Sequence, residues 1–182
     1  WGNPQVYHKG LSSDQQLFAQ HDVQWIQAGH PDEGGLIVFN NGVGRYPAYS
    51  SVDVLHPPMD NGTYLIEANG TFGPNLPSWS WDQGETMYSG AISGAQALTN
   101  GNILVTHGTK GTLYEVNRNG EVVWEYIGPV GPDGSYVQGE PLPDGNRAGT
   151  TANAIFKATH YPVDHPAFSN RTLVGTDYIE HW

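Results

Sequence analysis

The sequence contains no cysteine, and it has only seven lysines and arginines against 18 aspartates and glutamates. The lack of cysteine excludes disulfides and thiolate metal sites within this chain. The formal net charge of −11 repels the phosphate backbone of DNA and RNA, so no nucleic-acid partner is expected. No apolar run reaches the roughly 18 residues that a spanning helix needs, so no membrane span is predicted.

Helix-forming runs are nearly absent as well, whereas glycine (24 residues) and proline (13 residues) are abundant. This composition favours an all-β fold of many short strands joined by tight turns. The chain starts at Trp1 without a methionine or a signal-like segment, which predicts a processed or truncated piece. Three Asn-X-Thr sequons, at Asn61, Asn69 and Asn170, are compatible with a glycosylated, secreted protein.

Residues 91–130 are predicted to form one compact unit of four antiparallel strands. The four candidate strands are "SGAQAL", "NILVTH", "TLYEVN" and "VVWEYI". Turns that contain Asn-Gly or glycine separate them, as expected for consecutive hairpins. Four strands in about 40 residues are typical of one blade of a β-propeller.

Residues 18–90 predict an expanded copy of the same unit. Its first three strands are "FAQHDVQWI", "GLIVFNN" and "YSSVDVL", and its fourth, "WSWDQGETMYSG", follows an interruption. Residues 1–10 are predicted to form the closing strand of a preceding blade. Residues 152–182 predict the inner strand of a next blade, starting with "ANAIFKAT", and a C-terminal tail.

The predicted fold is therefore about two full blades of four antiparallel strands plus parts of two others. A closed propeller needs at least about four blades, since each blade is covered by its neighbours. The chain is thus expected to be the C-terminal part of one larger propeller. A self-contained sandwich is the alternative.

Several blocks resemble the arylsulfotransferase-like β-propellers, in their C-terminal half and from Trp1 to about Glu180. These blocks include "DQQLFAQHDVQWI", "GGLIVFNNGVGR", "ISGAQALTNGNILVTHGTKGTLYEVNRNGEVVWEYIGPV" and "NAIFKATHYPVDHPAF". The resemblance implies a six-bladed propeller in the periplasm or outside the cell. It also implies sulfuryl transfer from an aryl sulfate to a phenol through a sulfurylated histidine, with no cofactor and no metal. The implied partners are those small molecules and the missing N-terminal half, or other copies of the chain.

The resemblance assigns two catalytic candidates, His21 in "AQHDV" and Arg45 in "NGVGR". A neutral imidazole is a good nucleophile, and a guanidinium stabilises the sulfuryl oxygens. Aligning "LIVFNN" with "ILVTHG" predicts Gln96 at the position of His21 in the next unit. The family's nucleophilic histidine is expected there. Glutamine can bind a sulfate oxygen but cannot form the sulfurylated intermediate.

Four further side chains are candidates for substrate binding. His107, aligned with Asn40, is predicted to cap a turn unless it points into the channel. His160, with Lys157, is expected either to bring positive charge to the channel or to be a packed or exposed residue. Trp79 and Trp81 are expected either to pack between blades or to stack a phenol or sugar ring.

Three functions stay open at this point. The first is an enzyme that transfers sulfuryl groups between phenols. The second is a non-catalytic extracellular propeller that binds a ligand through its loops, and the third is a structural or assembly subunit. Gln96 at the expected histidine position counts against the first. No pair of histidines has the spacing of a local metal motif.

Overall fold

The structure of the protein, a computed structural model, describes residues 1–175 and Asp177. The last part of the predicted C-terminal tail, with Glu180, lies outside the described residues. The fold is all-β, with no α-helix among the described residues. The strands in chain order are β1 (His21–Trp25), β2 (Leu36–Asn40), β3 (Ser51–Leu55), β4 (Met59–Asp60), β5 (Thr63–Tyr64), β6 (Trp79–Trp81), β7 (Gly94–Ala97), β8 (Ile103–His107), β9 (Thr112–Val116), β10 (Val122–Ile127), β11 (Val130–Gly131) and β12 (Gly134–Ser135). Short 3₁₀ helices span Pro4–Tyr7, Ser12–Asp14, Gly108–Lys110 and Pro166–Phe168.

The compact unit predicted from the sequence is a four-stranded antiparallel sheet, in the order β10-β9-β8-β7. Its strands coincide closely with those read from the turn residues. In the β9–β10 turn, Gly120 has φ 85°, a left-handed conformation that glycine adopts without steric cost. The Asn117 side-chain oxygen accepts hydrogen bonds from the backbone N–H groups of Asn119 and Glu121. Local turn chemistry therefore fixes this hairpin.

The expanded unit is a second four-stranded antiparallel sheet, in the order β1-β2-β3-β6. Its third strand is separated from its fourth by residues 56–78, which hold the two-stranded β4–β5 hairpin. This excursion accounts for the interruption in the sequence repeat. A bulge in β1 shifts the register between His21 and Gln24, and Asp22 lies there at φ 54°.

The two four-stranded sheets share one hydrophobic core. Strands β2 and β3 contribute Phe39 and Val52, and β8 contributes Val105, all with 0% exposure. Complete burial of side chains of this size contributes about 1.5–3 kcal/mol each to the free energy of unfolding. The other buried members of the core cluster are Ile26, Ile37, Val54, Trp81, Met87, Ala95, Ile103 and Val116.

The sheets also meet edge to edge. At one edge, Gln24 of β1 donates from its side chain to the carbonyl of Ala95 in β7, at 3.1 Å. At the other, the ring N–H groups of Trp79 and Trp81 in β6 donate to carbonyls of the β9–β10 turn. The first strands of the two sheets, β1 and β7, therefore meet at one edge. At the other edge, β6 meets the β9–β10 hairpin.

The two terminal strand predictions are wrong. Residues 1–10 form the 3₁₀ helix Pro4–Tyr7 instead of a closing strand, because proline lacks an N–H group and has a fixed φ suited to the first turn of a helix. The segment predicted as an inner strand, Ala152–Thr159, has no assigned strand. It is held by separate bonds, from the Ser93 N–H to the Phe156 carbonyl and from the Ala158 N–H to a threonine hydroxyl of β8. The closed, six-bladed ring stays a prediction.

Candidate functional site

His21 lies at the start of β1, half-buried, with its Nδ1 atom 2.7 Å from Oδ1 of Asn41. Asn41 is fully buried, and its Nδ2 donates to the carbonyls of Ser89 at 2.6 Å and Ile92 at 3.0 Å. Carbonyl oxygens only accept hydrogen bonds, so the amide orientation of Asn41 is determined. The oxygen of that amide faces His21.

This contact selects one tautomer of the His21 ring. An amide oxygen cannot donate a hydrogen bond, so Nδ1 of His21 carries the proton in the neutral ring. Nε2 then has a free lone pair, and no hydrogen bond to it is formed within the described residues. His21 is therefore prepared to act as a nucleophile or as a base through Nε2.

The segment after residue 154 covers the same end of β1. The Phe156 ring meets the His21 ring edge to face, with centroids 6.2 Å apart. Lys157 forms an ion pair with Asp22, at 2.6 Å. These two contacts place an exposed aromatic ring against the imidazole and a cationic side chain against Asp22, the residue that follows His21.

Gln96 binds backbone. Its Nε2 donates to the carbonyl of His160 at 3.1 Å, and its Oε1 accepts from the N–H of the same residue at 2.7 Å. Both ends of the amide are therefore occupied, as in a rung of a β-ladder. The exposed His160 is thereby tethered to β7 through its backbone.

The predicted equivalence of Gln96 and His21 is wrong. In the ladders, Gln96 pairs with Leu104, and Gln24 pairs with Ile37, the residue aligned with Leu104. Gln96 therefore corresponds to Gln24. The long loop between β1 and β2 and the bulge after His21 prevent the register from being counted along the sequence.

Arg45 does not share a contact partner with His21 among the described residues. Its guanidinium stacks 4.2 Å from the centroid of the Tyr49 ring and 5.3 Å from that of Phe18. It donates to the carbonyls of Tyr49 and Gln16. It lines a different groove, together with Asp53 and Asp82.

His107 is buried, with 4% exposure, and its Nε2 lies 3.3 Å from the Tyr88 carbonyl. Burial lowers the pKa of His107, with the carbonyl of Tyr88 opposing that shift and Lys110 adding to it. The aligned Asn40 accepts a hydrogen bond from the Phe18 N–H, so the predicted backbone capping is found at Asn40. His107 binds a carbonyl instead.

Trp79 and Trp81 bind the turn between β9 and β10 and do not form an open shelf. Their Nε1 atoms donate at 3.1 Å to the carbonyls of Arg118 and Gly120. Trp81 is 5% exposed, and the Arg118 guanidinium covers the Trp79 ring at 4.9 Å. This is the inter-sheet packing that the sequence offered as one of two interpretations.

A second polar cluster, at the opposite ends of the strands, was not recognised from the sequence. The buried Asp32 carboxylate contacts Nη2 of Arg118 at 2.9 Å and Nδ1 of His30 at 3.7 Å. Burial lowers the pKa of His30, although Asp32 opposes that shift. The cluster joins the β1–β2 loop to the β9–β10 turn and is part of the packing between sheets.

Asn41 and Phe156 were also missed as site residues. Asn41 stands in the quoted "FNNG" block, but its carbonyl partners lie 48 and 51 residues away in the chain. No group of three or more His, Cys, Asp or Glu side chains within the described part of the chain is arranged to hold a metal ion. The described residues also contain no helix long and apolar enough to cross a membrane.

Comparison with known proteins identifies the family. The sequence model described as Arylsulfotransferase (ASST) matches residues 8–128, well over half of the chain. The match covers both four-stranded sheets, and with them His21 and Asn41. No curated protein and no solved structure matches the chain. The chain belongs to the arylsulfotransferase (ASST) family.

Proposed function

We propose that this protein transfers a sulfuryl group from an aryl sulfate to a phenol, and that His21 carries the group between the two. The observation that supports the proposal is the Asn41 contact, which keeps the proton on Nδ1 and the lone pair on Nε2. Family membership supports the reaction class. Arg45 and the five predicted substrate contacts are not needed for this assignment.

The reaction has two steps. In the first, Nε2 of His21 attacks the sulfur atom, an N–S bond forms, and the S–O bond breaks so that the phenolate leaves with the electron pair. In the second, the oxygen of an acceptor phenol attacks the sulfur and releases its proton to solvent. The N–S bond breaks, and the electron pair returns to Nε2.

We further propose that the two sheets are neighbouring blades of a propeller. The edge-to-edge contacts support this arrangement, because inner strands then meet near an axis and outer strands meet at the rim. Side chains of β10, the edge strand of the second sheet, are left uncovered: Val123 is 52%, Trp124 46% and Ile127 52% exposed. A further blade, from the same protein or from another copy, would cover them.

A secreted, extracellular or periplasmic location is proposed on separate grounds. All three sequon asparagines, Asn61, Asn69 and Asn170, are exposed and accessible to glycosylation. Digestion of the protein from its native source with an N-glycosidase tests their modification. A shift in mass at these sites supports passage through a secretory compartment, and unmodified asparagines at all three remove this support.

The test of the transferase proposal uses a chromogenic aryl sulfate with a phenol acceptor. Wild-type protein should release the coloured phenolate, and intact-protein mass spectrometry should detect one added SO3 unit on His21. His21→Gln should lower the release at least about a hundredfold. His8→Asn replaces an exposed histidine at φ 61°, a conformation that asparagine tolerates, and should behave as wild type. Equal release by His21→Gln and wild type would refute the proposal.

A non-catalytic binding protein is the second candidate. The observation that favours it is the position of Arg45, the predicted catalytic partner of His21, which the rings of Tyr49 and Phe18 hold in a different groove. A folded wild-type protein that binds phenols, gains no SO3 unit and releases no phenolate above the level of His21→Gln would establish this alternative.

A further inference from the structure

A groove of 590 Å³ lies beside the candidate site, between residues 132–156 and the turn before β7. Its apolar lining includes Ile92, Tyr136 and Phe156. Its polar lining includes Asp133, Asp144 and Arg147. A volume of this size is within the range of about 300–1,000 Å³ that small-molecule sites occupy, and apolar walls with a few polar groups are typical of such sites.

Two of the lining residues connect the groove directly to His21. Phe156 is 62% exposed, and its ring also contacts the His21 ring. The carbonyl of Ile92 accepts the hydrogen bond from Asn41, the residue that orients His21. The inner end of the groove is therefore formed by residues that touch the His21–Asn41 pair.

The backbone at the inner end is strained. Ile92 has φ 49°, which is a rare conformation for a β-branched residue and costs of order 1–3 kcal/mol. The bond from Asn41 to the Ile92 carbonyl helps to hold this conformation. Strain of this kind is concentrated at ligand-binding positions, and it supports a ligand site independently of the groove volume.

The charge of the lining indicates which ligand fits. The groove has two carboxylates against one guanidinium, in a chain of net charge −11. None of the three forms an ion pair within the described residues, so all are available to a ligand. Carboxylates accept hydrogen bonds from hydroxyl groups and repel anions.

We propose that this groove is the acceptor subsite, and that it binds uncharged phenols that carry further hydroxyl groups. The phenol ring lies against Phe156, with its reacting hydroxyl toward His21. The outer hydroxyl groups donate to Asp133 and Asp144. The proposal rests on the transferase function above and assigns the groove to the acceptor in preference to the anionic donor.

The experiment measures dissociation constants by ligand-observed NMR at low salt, for phenol, 4-hydroxyphenyl glucoside and phenyl sulfate. The glucoside should bind most tightly and phenyl sulfate most weakly. Phe156→Leu and Tyr136→Leu should each weaken glucoside binding about fivefold, because ring stacking is lost. Tyr161→Leu changes an exposed aromatic residue that does not line the groove and is the matched control.

A second pair of variants tests the charge argument. Asp133→Asn and Asp144→Asn together should lower the preference for the glucoside over phenyl sulfate about threefold. Phenyl sulfate that binds as tightly as the glucoside and depends equally on Phe156 would overturn the assignment to the acceptor. Unchanged glucoside binding in both aromatic variants would overturn the site itself. These measurements need no turnover, so a protein without sulfuryl transfer can still confirm or refute the groove.

Discussion

Asn41→Ala is the substitution that tests the candidate site most directly. The Asn41 side chain is 0% exposed and takes part in three hydrogen bonds, with His21, Ser89 and Ile92. At about 1 kcal/mol for each bond, the free energy of unfolding should fall by about 3 kcal/mol. Urea unfolding followed by tryptophan fluorescence measures the loss.

The matched control is Asn75→Ala, because Asn75 is exposed and its side chain has no hydrogen bond among the described residues. It should change the free energy of unfolding by no more than about 0.5 kcal/mol. A loss in Asn41→Ala as small as in this control would refute the structural role of Asn41.

The same substitution should change the chemistry of His21. In the wild-type protein, ¹⁵N NMR of the neutral imidazole should show the proton on Nδ1. In Asn41→Ala the ring should become a mixture of tautomers, and sulfuryl transfer should fall about tenfold, since the reactive form is no longer selected. A wild-type ring with its proton on Nε2 would contradict the proposed nucleophile, whatever the stability result.

Three further outcomes are expected. Trp81→Phe keeps most of the buried ring area but loses the bond to the β9–β10 turn, so urea unfolding should show a loss of about 1–2 kcal/mol. Burial lowers the pKa values of His30 and His107 in the folded state. Because the unfolded chain then binds protons more readily, the urea midpoint should fall as the pH is lowered from about 7.5 to about 5.5. The fall should be less steep in His107→Gln. A midpoint that rises on acidification would contradict the burial argument. Gln96→Glu removes the donor to the His160 carbonyl, so limited proteolysis should cut the segment after residue 154 faster than in wild type; an unchanged cleavage rate would show that the tether is dispensable.

The local parts of the fold were accessible from the sequence, and the long-range parts were not. Asn-Gly turns and apolar alternation located all eight strands of the two larger sheets, because hairpin formation depends on neighbouring residues. The register of β1 was not accessible, since the bulge at Asp22 depends on tertiary packing. Likeness to strands of the two units suggested strands in the terminal segments. Instead, Pro4 begins a 3₁₀ helix, and the segment with Phe156 is held by separate bonds, one of them to a side chain of β8.

The site was predictable only in part, for the same reason. His21 could be chosen from its motif, whereas its partner Asn41 is oriented by carbonyls about 50 residues further along the chain. Trp79 and Trp81 offered two interpretations, and the turn that binds their ring N–H groups lies 39 residues away. Arg45 was a catalytic candidate only through its resemblance to the family's arginine, and the rings of Phe18 and Tyr49 hold it in another groove.

The long excursion between β3 and β6 has a consequence for the order of folding. Every strand of the sheet β7–β10 follows its partner after a few residues, whereas β6 reaches β3 only after residues 56–78. The entropy lost in closing a chain segment grows with its length, and distant pairings slow the folding rate. The sheet β7–β10 is therefore expected to have the lower barrier to folding. Its β9–β10 turn is then already formed when Trp79 and Trp81 of β6 bind to it. When the full chain refolds, the sheet that carries His21 is therefore expected to be completed last.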